Sequence, residues 1–269
     1  MFSDQFRINE EVLELCTRGI HMITSMPQAL SALEHAREVL EKGHRPKEII
    51  DKELAHAEAL SQLAQREISS DFSILHSRAL VFLWNGLESL VKDILRDWVV
   101  NRPEILTSEP WASQRVKIGE YESLDVEQRA AYLVELVDQS VGGPMKQGIN
   151  RLEKLLEAIH LNGSVEEERR RGLFELQQVR NVLVHRAGIA DRRLCELCPS
   201  LHLEPGTRVE IDRKKYRKYA DSVGGYLTEL IFRTAEAFGV SDVRERTSRH
   251  IKVQSGATMT HNEEGRRES

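Results

Sequence analysis

Leu80-Val81-Phe82-Leu83-Trp84-Asn85-Gly86-Leu87-Glu88-Ser89-Leu90-Val91-Lys92-Asp93 is the stretch that sets the fold class. Leu80, Leu83, Trp84, Leu87 and Val91 recur at intervals of three and four, and Ile94 and Trp98 continue the series. That period places all seven on one broad face of a helix. It predicts a helix over about 72–100, closed by Asn101-Arg102-Pro103. Asn85, Glu88, Lys92 and Asp93 interrupt the apolar run. The segment is therefore a core helix and not a membrane span, which needs about 18 uninterrupted apolar residues.

The same period extends in both directions. A short helix is expected over 5–25. Leu30, Leu33, Ala36 and Leu40 form a stripe ending at Gly43, and Ile50, Leu54, Ala57, Leu60, Ala64 and Ile68 form another after Pro46. Ser69-Ser70-Asp71 breaks that run, and residues 103–123 read as loop. Asp125 and Gln128 have capping-box spacing for a helix over 126–139, and Val141-Gly142-Gly143-Pro144 ends it. A helix follows over 148–160. Ser164 and Glu167 suggest a second capping box, for a helix running to about 186, where Ala187-Gly188 can end it. Leu201-His202-Leu203 and Val209-Glu210-Ile211 alternate around Pro205-Gly206 and predict a small β-hairpin. Asp212 caps a last helix with the stripe Tyr216, Tyr219, Val223, Tyr226, Leu230 and Phe238. The expected fold is all-α: an N-terminal helical extension over 1–70, a main helical domain over 71–240, and a polar tail over 241–269, expected to be disordered.

Composition narrows the classes of function. The 269 residues include 40% hydrophobic and 30% charged side chains, enough for a core under a charged surface. The net charge of −5 gives no global basic field, so any nucleic-acid site must be a local patch. The opening Met-Phe-Ser-Asp-Gln-Phe-Arg lacks the pattern of a signal peptide, and only three cysteines are present. The cytoplasm is the expected compartment, with no membrane association.

One segment concentrates chemistry. In Glu175-Leu176-Gln177-Gln178-Val179-Arg180-Asn181-Val182-Leu183-Val184-His185-Arg186-Ala187-Gly188, an arginine, an asparagine and a histidine stand in an apolar helix. Asn181 and His185 are four apart and share a face. Arg180 and His185 are five apart, about 140° round the helix, so both border one side. Histidine is the side chain suited to proton transfer near neutral pH, and a guanidinium can give two hydrogen bonds to a phosphate. The plainer reading of such residues is a salt-bridged arginine and a histidine near a helix end.

Arg180-Asn181 with His185, followed closely by Gly188, resembles the signature of the HEPN superfamily, an arginine, a polar residue and a histidine four to six positions after the arginine. The stretch from Leu80 to Asp93 also looks like that family's first core helix, with Glu88 as its frequent acidic residue. The resemblance covers roughly 72–238. It implies a HEPN-like helical bundle that dimerises, with two Arg/His motifs across one cleft. It implies a metal-independent endoribonuclease of the kind found in toxin–antitoxin and phage-defence systems, with RNA as substrate, no cofactor, and an antitoxin or defence protein as a further partner. On that basis His185 would move protons, Arg180 would stabilise charge on the phosphate, and Asn181 would orient His185 or bind phosphate. The tyrosine that some family toxins carry two residues after the histidine is Ala187 here, so control by modification of that residue is not expected. The alternative is a catalytically inactive HEPN module that binds RNA, nucleotide or a protein partner.

Further candidates lie around the motif. Glu88 either makes a boundary salt bridge or faces Arg180 or His185. Arg186, Arg192 and Arg193 could follow an RNA backbone. Arg169-Arg170-Arg171, preceded by Glu166-Glu167-Glu168, reads as a solvated face. Cys195 and Cys198 form a lone C-x-x-C with His202 four residues on, short of the four ligands of a structural zinc site. A zinc-dependent regulator is the third reading, although no metal is expected. Because residues after 245 lack apolar periodicity, deletion of 246–269 should leave the melting temperature unchanged. A large drop would show that the tail contributes to the fold.

Overall fold

The computed structural model describes residues 2–40, 45–141 and 148–240, with side chains from residue 6 onward. Helix makes up 76% of it and no strand occurs among the described residues, so the class is all-α. Ten α-helices follow in order: α1 (Phe2–Ile23), α2 (Met26–Val39), α3 (Lys47–Ser69), α4 (Ser73–Asn101), α5 (Ile118–Glu122), α6 (Val126–Ser140), α7 (Ile149–Glu157), α8 (Glu167–His185), α9 (Arg192–Leu197) and α10 (Arg213–Ala237). No helix among the described residues is long and apolar enough to cross a membrane.

The fold is built round α4. Leu80, Leu87, Val91 and Leu95 are fully buried, and Leu83, Trp84 and Trp98 nearly so. Leu95 takes the inward place expected of Ile94, which is only partly buried. Helices α1, α6, α7, α8 and α10 all pack on α4. Each fully buried aliphatic side chain contributes about 1.5–3 kcal/mol. Asp71 and Phe72 turn the chain into α4 with left-handed backbone, φ 51° and 58°. The corner is tied to the start of α10: the Arg213 backbone N–H donates to Asp71 (2.7 Å), and that of Ile211 to Ser73 Oγ (3.0 Å).

Helix α10 buries three tyrosines and gives each hydroxyl a carboxylate. Tyr216 donates to Glu10 (2.5 Å), Tyr219 to Glu175 (2.7 Å) and Tyr226 to Glu153 (2.7 Å). Burial leaves such hydroxyls needing a partner, and these bonds fasten α10 to α1, α8 and α7. Phe238, assigned to the same stripe by its period, is exposed at the helix end. It instead packs on Trp98, with the Arg102 guanidinium 4.6 Å from its ring.

Asp125 and Gln128 form the expected capping box, and Asp212 caps α10 through the Lys215 N–H. Three expectations fail. Residues 103–123, read as loop, hold a 3₁₀ turn over Pro103–Thr107 and the short helix α5. Ser164 caps nothing: α8 begins only after Glu166, because the preceding chain is held to Arg233, which donates to the carbonyls of Leu161 and Ser164. The hairpin is also absent. Pro199–Leu201 is a 3₁₀ turn, and His202 is left-handed. The 206–209 segment instead meets the chain just past the Arg/His motif. The Val209 N–H donates to the Gly188 carbonyl and the Ala190 N–H to the Thr207 carbonyl, both at 2.8 Å, around an isolated bridge between Ile189 and Arg208. Three alternating residues on each side give too little pairing to compete with this longer-range contact. The proposed tail, 241–269, lies outside the described residues.

His76 of α4 is buried, its ring stacked on Tyr216 at 5.4 Å, and its Nδ1 has no hydrogen-bond partner among the described residues. Burial holds its pKa below the ordinary histidine value, outweighing the opposing pull of nearby Asp71. A base with a lowered folded pKa is stabilising only above its unfolded value, about 6.5. As pH falls below that, the unfolded chain takes up a proton that the fold refuses. The melting temperature should therefore fall between pH 7 and 5.5, and His76→Gln should flatten that part of the profile. An identical slope in the variant would assign the loss elsewhere.

Candidate functional site

Helix α8 carries Arg180, Asn181 and His185 on its last two turns and ends at His185. The end is closed by Ala187 (φ 52°) and Gly188 (φ 76°) in left-handed backbone, with the Gly188 N–H donating to the Val182 carbonyl at 3.1 Å. This is the αL-type stop expected at Ala187-Gly188. It leaves His185 exposed at the carbonyl end of the helix.

Arg180 is held on several sides. Its Nε and Nη2 donate to Asn85 Oδ1 on α4, at 3.2 and 2.8 Å, and its Nη1 donates to Asn181 Oδ1 at 3.3 Å. Glu88 Oε2 lies 4.0 Å from Nη2. The side chain is about one-fifth exposed, so the guanidinium is fixed yet reachable from solvent. Glu88 is the boundary salt-bridge residue of its plainer reading, paired with Arg151 at 3.0 Å, and its second oxygen lies toward Arg180.

The chain of charges continues inward. Arg151 grips Asp138 of α6 with two bonds, Nε to Oδ1 at 2.8 Å and Nη2 to Oδ2 at 2.5 Å. Lys92 Nζ adds a contact to Asp138 at 2.8 Å. Burial by itself would raise the Asp138 pKa, but the bonds from Arg151 and Lys92 outweigh it and hold the carboxyl below the usual carboxylate range. Asp138, Arg151, Glu88 and Arg180 thus form an alternating series running from the core to the α8 surface.

His185 lines a shallow pocket of about 160 Å³ with Gln178, Asn181, Arg186, Asp191 and Arg193. No hydrogen bond from its ring to another described residue occurs. Arg186 lies 3.8 Å from Asp191 and is largely exposed. Arg193 borders the pocket, whereas Arg192, also exposed, opens α9 and does not line it. Asn181 joins the two halves of the site, touching Arg180 on one side and lining the His185 pocket on the other. On the far side of Asn85, Ile74, Arg78, Phe82 and Asn85 of α4 face Leu183 and Arg208 across a groove of about 610 Å³.

The arginine run before the motif is only in part the solvated face expected of it: Arg171 is exposed, whereas Arg169 and Arg170 are half-buried. Arg169 pairs with Glu166, Arg170 bonds Asn150, and Arg171 pairs with Glu167. Cys195 and Cys198 are free thiols, and among the described residues no three His, Cys, Asp or Glu side chains group to hold a metal. Cys198 is buried, and burial with the nearby charge of Glu175 pushes its thiol up to about 11. It behaves as a core residue.

Asn85, Arg151 and Asp138 did not stand out as site residues in the sequence. Asn85 left one signal, a polar residue three before Glu88 in an apolar helix. Arg151 and Asp138 left none, because their pairing depends on how α6 and α7 pack on α4. Comparisons with models of known protein families, with curated protein sequences and with solved structures gave no match. Removing Arg151 strands the Asp138 carboxylate in the core beside Lys92 alone. Arg151→Ala should therefore cost about 3 kcal/mol in urea unfolding. A loss below about 1 kcal/mol, the size of a surface pair, would show that the series is not structurally coupled.

Proposed function

We propose that this chain is a HEPN-type, metal-independent endoribonuclease that works as a homodimer in a toxin or phage-defence setting. The observation that carries the reading is Arg180, held by Asn85 and Asn181 with Glu88 behind it, on the same helix end as an exposed His185. A fixed guanidinium costs little to reorganise when charge develops on a phosphate. An exposed imidazole at a polar pocket can meet a ribose hydroxyl.

The reaction needs no group beyond these. The ribose 2′-oxygen attacks phosphorus while its proton passes to a histidine. The bond from phosphorus to the 5′-oxygen breaks, and that oxygen takes a proton, from the other histidine in a two-motif cleft. The products are a 2′,3′-cyclic phosphate and a 5′-hydroxyl. Arg180 donates to the non-bridging phosphate oxygens, Asn181 orients His185 or binds phosphate, and Arg186 and Arg193 follow the RNA backbone beside the pocket. Pairing of two copies is supported by half-exposed apolar side chains: Val184, one turn on from Arg180 along α8, and Phe82 and Ile74 along the groove that Asn85 also lines. An antitoxin or defence-system protein would restrain such an enzyme in the cytoplasm. A silent HEPN module binding RNA, nucleotide or protein is the second reading, favoured by the absence of any described partner that orients the His185 ring.

Purified protein incubated with varied RNAs separates the two. His185→Ala and Arg180→Ala should each lower cleavage by about 10²–10⁴-fold with the helical CD signal intact. Asn85→Ala, a change at an exposed residue, should lower turnover by freeing Arg180 without lowering the melting temperature. Cleavage should survive EDTA and should fail on DNA and on RNA methylated at the scissile 2′-oxygen. Wild-type rates from a folded His185→Ala protein, or a requirement for divalent metal, would overturn the mechanism. RNA binding without cleavage would point to the silent module.

A further inference from the structure

Helix α1 has two apolar faces, and the fold uses one. Phe6 and Leu13 pack against the core, and Asn9 and Glu10 hydrogen-bond the Tyr216 hydroxyl. On the opposite side Ile8, Val12, Leu15 and Met22 stand exposed, Leu15 at 69% and Met22 at 75%. With Gly19 between the last two, their spacing is 4, 3, 4, 3, the seam of a two-stranded coiled coil. At 100° per residue the five positions fall within about 80° of arc. Four exposed apolar side chains on so narrow a stripe exceed the scatter of a solvated surface.

We propose that this stripe pairs with the same stripe of a second copy of the chain, antiparallel, about a two-fold axis between Leu13 and Glu14. Charge decides the occupant and its direction. One flank of the stripe carries Glu11 and Arg18, kept at the surface by ion pairs with Arg7 and Glu14 along the helix. The other flank carries Asn9 and Cys16 and turns toward the core. Antiparallel pairing brings the two charged flanks together, so Glu11 of each copy meets Arg18 of the other, twice by symmetry. Parallel pairing would set Glu11 against Cys16. The same antiparallel register stacks Val12 on Leu15 and Ile8 on Gly19. A Cβ placed at Gly19 meets nothing within 4 Å, so the space above it is open to the Ile8 side chain. Parallel pairing would place the two glycines opposite each other and leave a void. Residues 241–269 of the same chain offer no heptad pattern to fill the stripe. This interface lies on the other side of α1 from the core and shares no residue with the Arg180 surface, so it doubles whatever unit that surface forms. It makes no use of the functional reading above.

Sedimentation velocity of the full chain over a concentration series reads the pairing directly, because four layers make a small, concentration-dependent interface. Leu15→Glu should halve the limiting mass without lowering the melting temperature, since Leu15 makes no core contact. Glu11→Arg should weaken pairing and Glu11→Arg with Arg18→Glu should restore it. In a Cys16→Ser, Cys195→Ser background, oxidation should cross-link a mixture of Ile8→Cys and Gly19→Cys chains and neither variant alone, because like positions lie about 16 Å apart along the axis, beyond disulfide reach. Equal masses for wild type and Leu15→Glu at every concentration would overturn the proposal and leave the stripe to a helix of another protein. Cross-linking of either single variant with itself would overturn the antiparallel register.

Discussion

Everything in this fold leans on the removal of α4 from water. Its apolar positions face helices α1, α6, α7, α8 and α10, so each of these neighbours is placed by the ridge of side chains that it covers. A helix buried on so many sides carries polar groups at a cost unless each has a partner, and His76 Nδ1 is the exception on α4 among the described residues. Asn85 and Glu88 sit at the one margin where α8 crosses, and their partners are Arg180 and Arg151. The helix that organises the core thus also furnishes the acceptors for the candidate site.

The polar groups left inside follow a common logic. Glu153 takes hydrogen bonds from Tyr226 and Arg233, and Glu175 from Tyr219, Lys218 and Ser200. Asp138 takes them from Arg151 and Lys92. Each carboxylate bridges two or more helices, and each would be costly if left alone. Such clusters add less to net stability than the apolar core does, but they admit few alternative packings. The series from Asp138 to Arg180 applies that rigidity to a surface group. An arginine free to sample rotamers would lose entropy on meeting a phosphate, whereas one already bonded to Asn85 and Asn181 has lost it during folding.

The same economy is absent at the N-terminus. Helix α1 packs on α3 and α4 through one side, with Phe6 and Leu13 against the core and His21 edge-on to Phe72, and its outer stripe remains in water. An extension that packs inward on one face and presents a heptad seam outward has the properties of an assembly element. The Arg180 surface has half-exposed apolar residues of its own. The two faces would let one chain be joined to copies in two ways, one completing a site and one linking such units.

The helical periods and the motif were legible because they are local. Residues three or four apart share a face whatever the rest of the chain does, so α3, α4, α6, α8 and α10 could be read directly. The Asp125–Gln128 and Asp212 caps and the stop at Gly188 follow equally from neighbouring residues. The Ser164 cap and the hairpin were misread for the opposite reason. Local spacing suggested them, but Arg233 and the chain at Gly188–Ala190 claimed the same backbone groups from far away in sequence. Arg180 and Asn85, 95 positions apart, show the same division. Sequence placed each on a helix face, and only packing put one within reach of the other, because side-chain contact between helices depends on the crossing geometry that the whole core selects.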